Sequence, residues 1–555
     1  MTTKQALLNL SLILTLFFSF TSCESDPDSE PTVTTPELSG DSAVLSAATQ
    51  SSAMLPSEKG ENGHSRIYHI QSASDFKLFV EKVNNGDFEA FGESSGEKAE
   101  FILDLDLQVS DDYEWIPIGN DSHPFTCTFD GNGHTVSGSL SMMHNQALSK
   151  STGSDNFRFG FFGNFYGSLR NLTLDFDLNA SPAQQFNSLS IGMLGHLSGG
   201  DMTNVHTMGK IEYRTASESQ DIHIGGFSSY MSFCQINKCS SDVDIDINGG
   251  PDVSGNLLRT ENLYVGGLTA VICGSNITDF ENNGDINITN CEVNNRLYTG
   301  GLASTNEYLR NPLLLVFNNN GNINVSSIST RNHDSMVNVA VGGLIGFGEI
   351  NSQSGKVTNC GNLSIHIDSR ELFTYVGGLF GFTLDECVGL SNSGNIRNHS
   401  EVGYTGGCIG YMSEFDISHT FNSGNVESTC QIPAETYDYP YRYGATGGVV
   451  GRIFNGKIHD SSNSGNITSA ASYTLYDVTC SYAGAICGIG DHPRSCNLNY
   501  GTVNGERTTA VNHEGFTWYA SIDYQNGLLG SSHPYWSIYW RDIMIECETY
   551  YTCIH

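Results

Sequence analysis

A glycine pair that returns along the chain limits the possible folds more than any other feature. Aligned on it, the sequence reads FGFFG (159–163), IGMLG (191–195), IGGF (224–227), VGGL (265–268), TGGL (299–302) and VGGLIG (341–346). It continues with VGGLFG (376–381), TGGCIG (405–410), TGGVVG (446–451) and a decayed YAGAICG (482–488). Successive starts lie 29 to 42 residues apart, the period of a solenoid with loops of varied length. The pairs Gly266 and Gly267, Gly300 and Gly301, Gly342 and Gly343, Gly377 and Gly378, Gly406 and Gly407, and Gly447 and Gly448 are expected to mark the same strand entrance in successive units.

A second signal follows most pairs after 17 to 21 residues: MGKI, NGDI, NGNI, CGNL, SGNI, SGNV, SGNI and YGTV. The local pattern is strand and turn. In NLTLDFDL, Leu172, Leu174, Phe176 and Leu178 alternate with polar residues, and DVDIDI (242–247) does the same. Period two means one buried and one wet face. One such unit cannot bury its apolar face alone, but stacked units can. Parallel strands joined by crossovers are right-handed in nearly all folds. The expected fold is therefore all-β, a right-handed parallel β-helix. A propeller is the rival, but it needs four strands per blade and aromatic signatures that these repeats lack. In-register stacking also predicts an outer column of Asn322, Asn362, Asn395, Asn425 and Asn466, broken early by Lys210 and Asp285.

The VGGLIG…CGN and VGGLFG…SGN units resemble the GLUG motif of bacterial surface proteins. WIPIGNDSHPFTCTFDGNGHTVSG (115–138) is similar to the segment that opens many β-helical adhesin-like lipoproteins. The resemblance covers residues 65 to 505. It implies a cell-surface or adhesion role and brings no agreed catalytic residues.

The N-terminus reads MTTKQALLNLSLILTLFFSFTSCESDPDSE. Its apolar run is too short for a comfortable membrane span and follows a lysine, as in a signal peptide. Phe20-Thr21-Ser22-Cys23 resembles a bacterial lipobox, which makes Cys23 the expected lipidated residue and 1–23 the signal peptide. The acidic tract after it resembles the export signal of surface lipoproteins in Bacteroidetes. An outer-membrane lipoprotein is expected, displayed on the surface, with the periplasmic face as the alternative. Residues 24–62, rich in Ser, Thr, Pro and acid, read as a flexible stalk. Residues 63–150 read as an N-terminal cap and first coils, 151–505 as the repeats and 506–555 as a C-terminal cap. An amphipathic helix is expected over 74–86, with a serine N-cap and Phe76, Phe79, Val80 and Val83 inward.

The formal charge of −35 makes nucleic acid an unsuitable partner. HExxH, P-loop and CxxC patterns are absent from the sequence, and GESSG (92–96) is a chance match to GxSxG in a polar loop. Cys408 aligns with Leu344, Leu379 and Val449, and Cys360 with Ser393, so both read as buried thiols. Cys234/Cys239 and Cys547/Cys553 are close enough in sequence to bridge. Asp175 and Asp177, with Asp242, Asp244 and Asp246, place carboxylates side by side on strand faces. They are solvated acids or, if neighbouring coils contribute, ligands for Ca²⁺; no other cofactor is expected. Tyr437, Tyr439, Tyr441 and Tyr443 crowd one insert, and Trp518, Trp536 and Trp540 crowd the C-terminus as cap or glycan platform. The leading expectation is a non-catalytic surface module that binds glycan or host or microbial protein. The alternative is a β-helix polysaccharide lyase or glycoside hydrolase.

Overall fold

The computed structural model describes residues 42–507, except 60–65, 88–98, 143–155, 181–185, 215–217, 251–257, 307–310, 332–336, 370, 430, 433–443, 455, 471, 476–477, 481 and 491–497, and also residues 518–520. The repeat folds as a parallel β-solenoid. One coil shows the pattern: Leu372–Gly377 leads into the glycine pair, Phe380–Thr383 leaves it, Leu390–Asn392 ends at the second signal, and Ile396–Ser400 runs on. Each strand pairs in register with its equivalent one coil later: Val376 with Thr405, Phe380 with Ile409, Asn392 with Asn422, Ile396 with Val426. The ten strands that lead into the glycine turns form one sheet, and Trp518–Ala520 adds an eleventh, antiparallel strand at its edge. Leu372, Val376, Leu379, Phe380, Leu390 and Ile396 belong to one core that runs through the coils.

The glycine pair marks the end of a strand, not the entrance expected from the sequence. Arg259–Gly266, Glu292–Gly300, Val337–Gly342, Leu372–Gly377, Gly403–Gly406 and Ala445–Gly447 each stop at the first glycine of their pair. The second glycine, at Gly267, Gly301, Gly343, Gly378, Gly407 and Gly448, lies outside any strand, in the bend before the next one. The two halves of a pair therefore do different work. The first still pairs with its equivalent in the next coil, as Gly300 does with Gly342, while the second lies in the bend against a side chain of the same coil.

Each glycine of x-Gly-Gly-x-x-Gly has its own neighbours. A Cβ on the third, at Gly410, would lie 2.6 Å from the Val376 backbone nitrogen, and one on Gly451 would lie 2.7 Å from that of Thr405. A side chain does not fit there in these later coils, whereas the earlier coils hold the small buried residues Ser229, Ala270 and Ser304 at the same position. The second glycine faces a side chain. A Cβ on Gly301 would lie 2.3 Å from the Asn319 amide carbon, and one on Gly343 would lie 2.3 Å from that of Asn359. The same approach recurs at 2.5 Å between Gly407 and Asn422 and at 2.6 Å between Gly448 and Asn463.

Those asparagines form a buried ladder. Asn282, Asn319, Asn359, Asn392, Asn422, Asn463 and Asn499 occupy one register position in seven successive coils. Each Nδ2 donates to the next Oδ1 at 2.7 to 2.9 Å. The other Nδ2 hydrogen goes to the carbonyl of the glycine two residues on, as from Asn392 to Gly394 at 2.9 Å. A buried amide is costly unless bonded, and here the interior members have every polar atom satisfied. The sequence reading looked one residue past the glycine and missed this ladder.

The outer column it did expect is present. Asn322, Asn362, Asn395 and Asn425 each accept the backbone N–H of the equivalent residue in the next coil at 2.9 to 3.0 Å. Asp285 does not break the column. Its carboxylate accepts from Asn322 N and Nδ2 at 2.7 and 3.0 Å, because only an acceptor is needed there. Donors in this column point back to earlier coils, opposite to the buried ladder.

Three further boundaries and placements shift. The helix spans Ala73–Asn84 and is capped by Ser72, whose Oγ accepts from Asp75 N at 3.1 Å, rather than by Ser74. Its inward face packs on the first coils, with Phe79 4.7 Å from Phe101 and 5.9 Å from Phe125. Part of the expected stalk is folded: Ser42–Leu45 pairs with Asp106–Val109, because Leu45 and Leu55 bury in the core. Cys408 is buried in the core as expected, whereas Cys360 is only half-buried. Cys234 and Cys239 are free thiols, each held against backbone carbonyls, and burial raises both to about 12.

Candidate ligand groove

Outside the core, two columns of side chains line the corner made by the glycine turns. On the strands that lead into the turns the outward positions run Arg158, Ser190, His223, Tyr264, Tyr298, Ala340, Tyr375, Tyr404, Ala445. On the leaving strands they run Asn164, His196, Tyr230, Val271, Thr305, Phe347, Phe382, Tyr411, Arg452. The columns meet across the corner: Tyr298 lies 5.1 Å from Phe347, Tyr375 5.3 Å from Phe382, and Tyr404 5.7 Å from Tyr411. They also stack along the coils, as Phe347 does on Phe382 at 4.7 Å. Nine coils at a strand spacing of about 4.8 Å give a strip roughly 38 Å long.

This is a re-entrant groove, and its apolar content is separate from the core. Phe373, Val402, Tyr404 and Ala445 form a second buried cluster, against which half-buried Tyr375 and Tyr411 pack. Arg452 closes one end, its guanidinium 5.2 Å from the Tyr404 ring centre and hydrogen-bonded to the Tyr404 hydroxyl. Burial pushes the Tyr375 phenol well above its ordinary value, so it stays a hydrogen-bond donor at any physiological pH.

The other end is polar. Arg158 pairs with Asp121 and donates to Asn164 at 2.8 Å. His196 stacks on Tyr230 at 4.6 Å, and its Nε2 lies 3.2 Å from Ser198 Oγ. His223 stacks on Tyr264 at 5.0 Å. Burial, with Arg158 adding to it, holds His196 down to about 3; burial holds His223 down to about 4. Both rings are neutral at pH 7, and the Nδ1 atom of each is buried without a hydrogen-bond partner.

The groove residues were missed at the sequence level, although the signal was visible: Tyr264, Tyr298, Tyr375 and Tyr404 each stand two residues before a glycine pair. The expected acids lie elsewhere. Asp175 and Asp177 share a strand, and Asp242, Asp244 and Asp246 lie two coils on, with Met208 and Lys210 between them in register. Lys210 binds Glu212 and Asp246 at 2.7 and 2.8 Å, and Asp242 and Asp246 accept from Asn283 and Asn287. The structure does not bring these two groups of carboxylates together. Trp518 begins the closing antiparallel strand. Cys23, Tyr437, Tyr439, Tyr441, Tyr443, Trp536 and Trp540 lie outside the described residues.

No protein-family model matches the chain, so the GLUG resemblance rests on the repeat residues alone. No curated protein matches it. Among solved structures it is similar to a "putative immunoglobulin A1 protease" from Bacteroides ovatus, with 13% identity over 79% of this chain and 84% of that one and a TM-score of 0.24.

Proposed function

We propose that this chain is a lipid-anchored outer-membrane protein, displayed at the cell surface, that holds an extended glycan along the re-entrant groove without cleaving it. The observation behind this reading is the strip of aromatic side chains, some buried as Tyr404 is and some half-buried as Tyr375 and Tyr411 are, lying outside the core in register over successive coils. Such a strip offers ring edges, hydroxyl donors and one guanidinium at a fixed repeat, which suits a polymer of repeating polar rings. The lipid anchor rests on Cys23 and the apolar run before it. Purified full-length protein on a glycan array, beside its Tyr264→Ala and Tyr411→Ala variants, tests the groove. Retention of a polysaccharide that both variants weaken supports it, and retention unchanged in folded variants removes it. Cys23→Ala should release the protein from membrane pellets.

A second reading is favoured by the polar end. Arg158 and Asp121, beside His196 and next to aromatic walls, set a cation and a carboxylate at one end of the groove, residue types that a polysaccharide-cleaving site uses, while burial leaves His196 and His223 too weakly basic to serve as its base. New reducing ends or unsaturated products on incubation with plant, host and microbial polysaccharides would establish that reading in place of the first.

A further inference from the structure

His366 and His399 occupy the same register position on neighbouring coils, on the outward face of the sheet that follows the asparagine turn. Their rings stack with centres 4.6 Å apart and planes 12° from parallel. Asp368 stands two residues after His366, just past the end of the strand Leu363–Ile367. Its two oxygens divide between the rings: Oδ2 lies 3.2 Å from His366 Nε2 and Oδ1 3.5 Å from His399 Nε2. Both Nε2 atoms therefore aim at one point. The three donor atoms lie within 4.8 Å of one another and face solvent.

We propose that His366, Asp368 and His399 form a binding site for a divalent transition ion of the zinc class. Bonds of about 2.1 Å to a tetrahedral ion place its ligands about 3.4 Å apart, so small side-chain rotations close the set. Two imidazoles and one carboxylate select zinc, nickel or copper over calcium or magnesium, which take oxygen ligands. Thr429 Oγ1, on the following coil, is hydrogen-bonded to His399 Nδ1. When Nδ1–H donates to that hydroxyl, the Nε2 lone pair is free for the ion, which is the usual outer support of a ligating histidine. The preceding coil has Ser326 in this register, so the side chains turn from hydroxyl to imidazole for two coils only. The net charge of −35 raises the local cation concentration. An ion here also ties two successive coils together.

The test is calorimetric titration of untagged full-length protein, with thiols kept reduced, against Zn²⁺ alone. The wild type should bind one equivalent that His399→Ala lacks, and Asp368→Asn should weaken that equivalent at least tenfold. All three residues are exposed, so these variants should keep the wild-type circular dichroism. Cobalt(II) should give the visible bands of a four-coordinate site in the wild type and lose them in His399→Ala. Zn²⁺ should raise the melting temperature of the wild type but not of the variant. Equal stoichiometry, enthalpy and cobalt spectra in the wild type and His399→Ala would overturn the proposal.

Discussion

In the coil that begins at Asn156, the corner beside the glycine turn holds Phe161 at the turn and Leu174 at the register position opposite. In the coil that begins at Leu372, the same two places hold Gly378 and Asn392. The coils between them pass through Met193 with Thr207, Gly226 with Ser241, and Gly267 with Asn282. From there the pairing holds, as Gly301 with Asn319 and Gly343 with Asn359. Bulk leaves the turn as length and polarity enter the strand. The first coils fill the corner with rings: Phe125, Phe129, Phe161, Phe162 and Phe165 make contacts of 4.6 to 6.4 Å. The later coils fill it with amides that bond one another. The intermediate coils do neither fully, and the Thr207 and Ser241 hydroxyls and Asn282 Oδ1 are buried without partners. The second glycine of the pair therefore makes room for the ladder more than it bends the backbone.

The largest effect should come from refilling the turn where the ladder is complete. Gly378→Val places side-chain atoms on the Asn392 amide and should cost about 3 kcal/mol or more. Urea unfolding against a surface change such as Glu261→Ala measures it, and equal midpoints would show that the turn tolerates bulk. Cutting the ladder comes next. Asn392→Leu leaves the Asn359 donor and the Asn422 carbonyl unpaired and should cost about 2 to 3 kcal/mol.

The two regions should also differ in acid. The ladder has no titrating group, whereas the intermediate coils, those of Met193 and Gly226, hold His196 and His223 largely out of water. Below pH 6.5 the unfolded chain gains protons on these histidines, while the folded chain refuses them until about pH 3 to 4. Stability should therefore fall with pH across that window, by up to about 1.4 kcal/mol per pH unit for each histidine. His196→Gln with His223→Gln should flatten the slope, read from urea midpoints between pH 7 and 5. A smaller gain is expected from lengthening the ladder by one coil. Ser241→Asn would offer a donor to the orphaned Asn282 Oδ1, with Gly226 already leaving space, and should stabilise by about 1 kcal/mol. Thr207→Val, which removes a hydroxyl that has no partner, should change the midpoint least.

The sequence made the solenoid legible because glycine is read directly from the letters and its recurrence sets the coil. Which side of the pair the strand lay on was not legible, since apolar residues flank it on both sides in VGGLIG and VGGLFG. The outer asparagines were legible because each follows a glycine. The buried ones stand two residues before that glycine, on the inward parity of a strand, where pattern reading expects an apolar residue. An asparagine repeated there, as in Asn392-Ser393-Gly394 and Asn463-Ser464-Gly465, was itself the signal. The groove and the His366–His399 pair were harder to see. They are made by register across loops of unequal length, and only strand pairing shows which residue of one unit stands beside which residue of the next.

The buried amides all point the same way, from Asn282 through Asn499. Each unit thus offers its successor the same socket that it fills in its predecessor. A gene that duplicates or deletes one whole unit between these limits keeps the ladder continuous. The length of the ladder can then be set by copy number, one coil at a time.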